Sequence, residues 1–150
     1  MSTPDLTIVV PGPDLKAGWR ALYNGYAAFY KREMTDTIAD AVWTWIRDPE
    51  HEVEGVLACL DGTPIGLAHF RRMPSPLRGT DIGFLDDLFV DPTHRGSGAA
   101  DALFAHLKKI GQERNWGVIR WITADDNYRA RSVYDRLATK TQWNTYEMAV

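Results

Sequence analysis

With 150 residues, 45% hydrophobic and 25% charged, the chain has the length and balance of one globular domain, expected over residues 1–150, and its composition points away from a disordered or membrane class. A formal charge of −3 supplies no broad basic field for a phosphate backbone, so nucleic acid is not an expected partner, and no apolar run reaches membrane-spanning length. The single cysteine, Cys59, rules out an intramolecular disulfide and fits a reducing, cytoplasmic setting.

The first five residues lack the basic and apolar segments of a secretory leader. Residues 6–10 read as a strand ended by Pro11-Gly12-Pro13. Trp19, Leu22, Tyr23, Tyr26 and Tyr30 then recur at helical spacing and form an aromatic stripe. A second helix is predicted from Thr37 as N-cap, with Ile38, Val42, Trp45 and Ile46 turned inward until Asp48-Pro49 stops it. Residues 54–60 and 64–71 read as two strands joined by the hairpin signal Asp61-Gly62, with Cys59 a small buried hydrophobe. Residues 73–79 are expected to form a loop and 82–90 a further strand closed by Asp91-Pro92. Ala99, Leu103, Leu107 and Ile110 define an amphipathic helix that ends by Asn115. Residues 118–123 follow as a buried strand, and Asn127 caps a helix whose apolar face is Ala130, Val133, Tyr134 and Leu137. The tail over residues 139–150, with Trp143, Tyr146 and Met148, is expected to be β-rich.

A strand, crossover helix and strand imply parallel neighbours, whereas the earlier hairpin is antiparallel, so the sheet must be mixed. Between a strand and an amphipathic helix lies Asp91-Pro-Thr-His-Arg95-Gly-Ser-Gly98-Ala-Ala100. Its glycines let successive N–H groups converge, and the helix start adds positive potential, so the turn suits a phosphate-type anion with Arg95 beside it. The dinucleotide fingerprint would need a small residue where Asp101 stands, and the nucleoside-triphosphate loop would need a Gly-Lys-Ser/Thr that is absent. The remaining readings are a distinct anion site or an ordinary loop with glycine turns.

Arg95-x-x-Gly98-x-Ala100 resembles the Arg/Gln-x-x-Gly-x-Gly/Ala signature of the GNAT superfamily of N-acetyltransferases, and Asn127-x-x-Ala130-x-x-x-Tyr134 resembles its second signature, one strand and one helix later. The helix beginning Trp19-x-x-Leu22-x-x-x-Tyr26, with Gly66-Leu-Ala-His69-Phe70 and Leu85-Asp-Asp-Leu-Phe-Val90, is similar to small members related to polyamine and histone acetyltransferases. The resemblance implies an α/β (α+β) fold, a mixed, mostly antiparallel sheet with a central splayed parallel pair flanked by about four helices. It implies acetyl-CoA as acetyl donor, its pyrophosphate held by Arg95, Gly96, Ser97, Gly98, Ala99 and Ala100. Its pantetheine arm would pair like an added strand with Leu88, Phe89 and Val90, and Asn127 would make a further contact.

An alkylamine with a pKa near 10.4 is neutral at pH 7 in only about one molecule in a few thousand, so acetylation needs a proton acceptor. Asp86 and Asp87 are strand neighbours, expected to point to opposite faces and to differ in role. They read either as site acids or as solvated charges at a strand end. The resemblance implies Asp86 as base, in a position where such relatives often carry glutamate, and Asp87 as a group that holds a cationic substrate. It implies Tyr134 as the general acid that protonates the departing thiolate, although Tyr134 also continues the apolar stripe of its helix. Tyr26, Tyr30, Trp43, Trp45 and His69 could line an acceptor site; helical spacing favours core packing for the aromatics, with Tyr30 left open between the two. Four histidines, at 51, 69, 94 and 106, show no metal-ligand spacing, and no metal is expected.

The resulting expectation is an N-acetyltransferase acting on a primary amine, a small cationic, polyamine-like molecule first, with a protein lysine or N-terminus as the alternative acceptor. A non-catalytic acyl-CoA-binding sensor is the alternative of a different class, against which an intact Tyr134 argues. A homodimer through the C-terminal strand is the expected assembly.

Overall fold

The computed structural model describes residues 5–150; the reading of residues 1–4 at the amino terminus lies outside the described residues. Strands β1 (Leu6–Val9), β2 (Val53–Leu60), β3 (Thr63–Ser75), β4 (Thr80–Val90) and β5 (Ile119–Arg120) form one sheet in that order. The first four are antiparallel, whereas β4 and β5 run parallel and pair only at Gly83 with Ile119 and Phe84 with Arg120. Helices α1 (Lys16–Phe29) and α2 (Asp36–Arg47) cover one face. Helix α3 (Ala99–Glu113) covers the other, and α4 (Tyr128–Leu137) follows β5. The mixed sheet and four helices agree with the expected fold class.

Strand alternation divides the core into two clusters. Val56, Ala58, Ala68, Phe70 and Leu85 meet Leu103 and Leu107 of α3, whereas Leu57, Cys59 and Leu67 meet Trp19, Leu22, Val42 and Ile46 of α1 and α2. Helix α1 approaches β4 closely at Gly25, where an added Cβ would stand 2.9 Å from the Phe89 ring. Glycine there seats the end of α1 against the strand that forms one wall of the site.

Several local expectations are corrected. Thr35, not Thr37, caps α2, its hydroxyl accepting from the Ile38 N–H; α2 therefore buries Ala39, Val42 and Ile46 and leaves Ile38 and Trp45 exposed. Residues 73–75, read as loop, continue β3, because Met73, Pro74 and Ser75 pair with Ile82, Asp81 and Thr80. The buried strand expected over 118–123 shrinks to two residues, with Val118 and Ile122 exposed. No strand forms over 139–150, where Trp143, Tyr146 and Met148 are 76%, 89% and 87% exposed: a segment with β-favouring side chains acquires a ladder only where another strand lies beside it.

Candidate active site

The glycine turn adopts the backbone its sequence calls for. Gly96 and Gly98 have φ of +83° and +88°, and Gly98 is the N-cap of α3. A Cβ at Gly96 would meet nothing within 4 Å and one at Gly98 only the Leu6 side chain at 4.0 Å, so conformation rather than crowding demands glycine. Left-handed residues followed by a helix start turn backbone N–H groups outward into a nest with positive potential. Arg95, exposed beside it, adds a full charge.

A groove opens from this turn. It is lined by Leu88, Phe89 and Val90 of β4, Ala99, Ala100 and Phe104 of α3, Asn127, Arg129, Ala130, Val133 and Tyr134 at α4, Tyr26, Phe29 and Tyr30 at the end of α1, and His94 to Ser97 of the turn. All the cofactor-binding candidates except Gly98 line it, together with Tyr134 and Tyr30. Because β5 pairs with β4 only at Gly83 and Phe84, β4 from Leu85 onward has no strand on that edge among the described residues, and an extended polar chain can lie there. Nest, free edge and apolar lining fit the pyrophosphate and pantetheine of acetyl-CoA. Asn127 serves locally as N-cap of α4, its side chain accepting from the Ala130 N–H at 3.4 Å. His94, Phe104, Arg129 and Val133 were not singled out from sequence as groove residues; the spacing of Arg129 and Val133 on the signature helix was the available signal.

The two acids do not face opposite sides. His69 pairs with Asp87 and Phe70 with Leu85, so Asp86 is an extra residue, a β-bulge in β4. Asp87 Oδ2 lies 2.8 Å from His69 Nδ1, and Arg71 Nε donates to both Asp86 oxygens at 3.0 and 3.3 Å. His69 and Arg71 are two residues apart on regular β3 and share a face, so the bulge brings both carboxylates to the α1 side. Period-two alternation predicts the opposite, and no residue in the segment announces the bulge.

Their environments differ. Burial pushes Asp86 above its ordinary value, the Arg71 ion pair opposing it only in part. Burial also acts to raise Asp87, but its close pairing with His69 first, and then the phenols of Tyr26 and Tyr23, outweigh it and hold that carboxyl below its ordinary value. The Tyr23 hydroxyl donates to Asp87 Oδ2 at 3.1 Å. Both tyrosines are raised, by burial first and then by the Asp87 charge, which keeps them as donors. His69 is thus joined to Asp87, whereas Trp43 packs in the core and Trp45 stacks on His51 at the surface, away from the site.

Tyr134 packs edge-on against Phe104 and Trp121 and presents its side chain to the groove. Burial, with the Tyr30 phenol nearby, pushes its hydroxyl up to about 12, so it carries its proton throughout the neutral range. Tyr30 ends α1, edge-on to Tyr26 at 5.0 Å, and lines both the groove and a second pocket shared with Asp126, Asn127 and Tyr128.

The model of the Acetyltransferase (GNAT) family matches residues 19–138. The chain belongs to this family and is an acetyl-CoA-dependent N-acetyltransferase. It is 26% identical over 137 residues to the D-amino-acid N-acetyltransferase HPA3 of Saccharomyces cerevisiae, a match covering 90% of this chain and 85% of that protein. Among solved structures, the ribosomal-protein-alanine N-acetyltransferase of Brucella melitensis biovar Abortus 2308 has a TM-score of 0.83 at 24% identity, covering 97% of this chain and 100% of that one. The aminoglycoside N-acetyltransferase AAC(6')-Iy, solved with CoA, has a TM-score of 0.85 at 20% identity, covering 99% and 97%. These structural likenesses establish the shared fold.

Proposed function

We propose that this enzyme acetylates a small cationic primary amine, polyamine-like in its charge. The observation that carries this reading is Asp87: a largely buried carboxylate that accepts from Tyr23 and pairs with a His69 whose other nitrogen accepts from the Trp19 N–H, while the neighbouring cation, Arg71, is engaged by Asp86. A buried anion without a cation of its own favours a cationic ligand. Acetyl-CoA, held by residues 95–100, Leu88 to Val90 and Asn127, supplies the acetyl group. Asp87, with Tyr30 of the groove lining, receives the acceptor. Asp86, raised by burial, takes the proton of the attacking nitrogen directly or through water, and Tyr134 donates to the departing sulfur.

A second reading, the α-amino group of an amino acid, draws on the name of the yeast relative. The two readings separate in one experiment: purified enzyme with acetyl-CoA, assayed by released thiol against polyamines, D- and L-amino acids and peptides. Highest kcat/KM for the polyamines supports the first reading, highest for amino acids the second, and turnover of peptides alone contradicts both.

The exposed tail over 139–150 supports an assembly through that segment. We infer that a second copy covers Trp143, Tyr146 and Met148 by pairing along the tail. Large apolar side chains at such exposure lie more favourably in an interface than in water.

A further inference from the structure

Trp19, His69 and Asp87 form a chain of hydrogen bonds from the core to the acceptor site. Trp19 Nε1 donates to His69 Nε2 at 2.9 Å, and His69 Nδ1 meets Asp87 Oδ2 at 2.8 Å. The indole N–H can only donate, so Nε2 must be the accepting nitrogen and Nδ1 the one that carries hydrogen. His69 is 1% exposed and is the buried polar residue among the described core positions, so no water competes for either nitrogen. A proton placed on Nε2 would meet the indole N–H head-on.

We propose that His69, oriented by Trp19, is a positioning residue that gives its one N–H to Asp87 and keeps that carboxylate aimed at the acceptor's ammonium group without supplying a counter-charge. The inference rests on the reading of the acceptor as a cationic amine. The charged and titratable groups facing Asp87 are His69 and Arg71 from β3, Tyr23 and Tyr26 from α1, and its neighbour Asp86. Tyr23 and Tyr26 are neutral donors, and Arg71 is bound by both Asp86 oxygens. An imidazolium at position 69 would neutralise Asp87 from behind. The Trp19 contact instead selects the uncharged donor, so Asp87, with its side chain 17% exposed, keeps its charge for the ligand. His69 acts only through Asp87, because its ring is sealed from the groove.

Two amide substitutions separate this role from packing. His69→Asn places its amide near the Nδ1 position and can still donate to Asp87; His69→Gln reaches toward the Nε2 position and Trp19 instead. Both disturb the core, so a packing role predicts equal effects. The positioning role predicts that KM for 1,4-diaminobutane rises roughly tenfold to a hundredfold in His69→Gln, the scale of a hydrogen bond to a charged group, and stays within about threefold of wild type in His69→Asn. KM for acetyl-CoA should be unchanged in both. Equal KM values in the two variants, with wild type still preferring the diamine over 4-aminobutan-1-ol, would overturn the inference while leaving the cationic-acceptor reading intact. Loss of that preference in wild type would remove the reading and the inference together. Should neither variant fold, nitrogen NMR of wild-type His69 near pH 8 decides: hydrogen on Nδ1 with Nε2 bare supports the proposal, and hydrogen on Nε2 overturns it.

Discussion

The ring of Tyr134 meets that of Trp121 edge to face, with centroids 5.4 Å apart and planes at 72°. Trp121 and Phe104 both pack edge to face on the ring, and the side chain lines the groove. We propose that packing and chemistry occupy different parts of this one side chain. Tyr134→Phe keeps the packed ring and removes the donor, so single-turnover acetyl transfer should slow by about a hundredfold to ten-thousandfold while the melting temperature barely moves. Unimpaired transfer would assign Tyr134 to packing alone.

Gly98→Asp puts a side chain on a residue at φ +88° and a negative charge into the nest. The affinity for CoA, measured by calorimetry, should fall roughly tenfold or more. Gly98→Ala carries the backbone strain without the charge and should lose less. Undiminished affinity in a folded Gly98→Asp protein contradicts the assignment of the turn.

Much of this site was legible in the sequence because its parts are local. The nest is a short run whose glycines and helix start are adjacent, and Asn127 and Tyr134 are fixed relative to each other by one helix. Helix faces were legible where the apolar spacing was unambiguous, as for Leu103 and Leu107, but the N-cap of α2 slipped from Thr37 to Thr35 and took Ile38 and Trp45 out of the core with it. Relationships that depend on register were not legible. A bulge at Asp86 reversed the expected direction of one acid, and only the fold shows that His69 reaches both Trp19 and Asp87. The tail misled for a related reason, since its β-favouring residues have no partner strand within the described chain.

The two acids predict a pH dependence with a definite sign. A base must be ionised, so kcat/KM falls as pH drops through the Asp86 pKa, and burial places that limb above the ordinary carboxylate value of about 3.9. Arg71 lowers Asp86, so Arg71→Gln should move the acid limb to higher pH. Asp86→Asn should abolish the limb and cost roughly a hundredfold in rate. An acid limb unmoved in Arg71→Gln would remove Asp86 from the role of base.

The exposed tail predicts association. Sedimentation equilibrium should give a particle of twice the 17.0 kDa chain, and a Trp143→Asp, Tyr146→Asp double variant should sediment as a single chain with its fold retained. A wild-type protein that stays a single chain at high concentration contradicts the proposed pairing.

The claim that Asp87 makes this an acetyltransferase for cationic amines is tested most directly by comparing 1,4-diaminobutane with 4-aminobutan-1-ol. The two acceptors match in length and differ in the second charge. With saturating acetyl-CoA, kcat/KM for the diamine should exceed that for the amino alcohol by about tenfold or more, the scale of one charge-assisted contact, and Asp87→Asn should erase most of the difference. Equal values for the two acceptors in the wild-type enzyme would contradict the account.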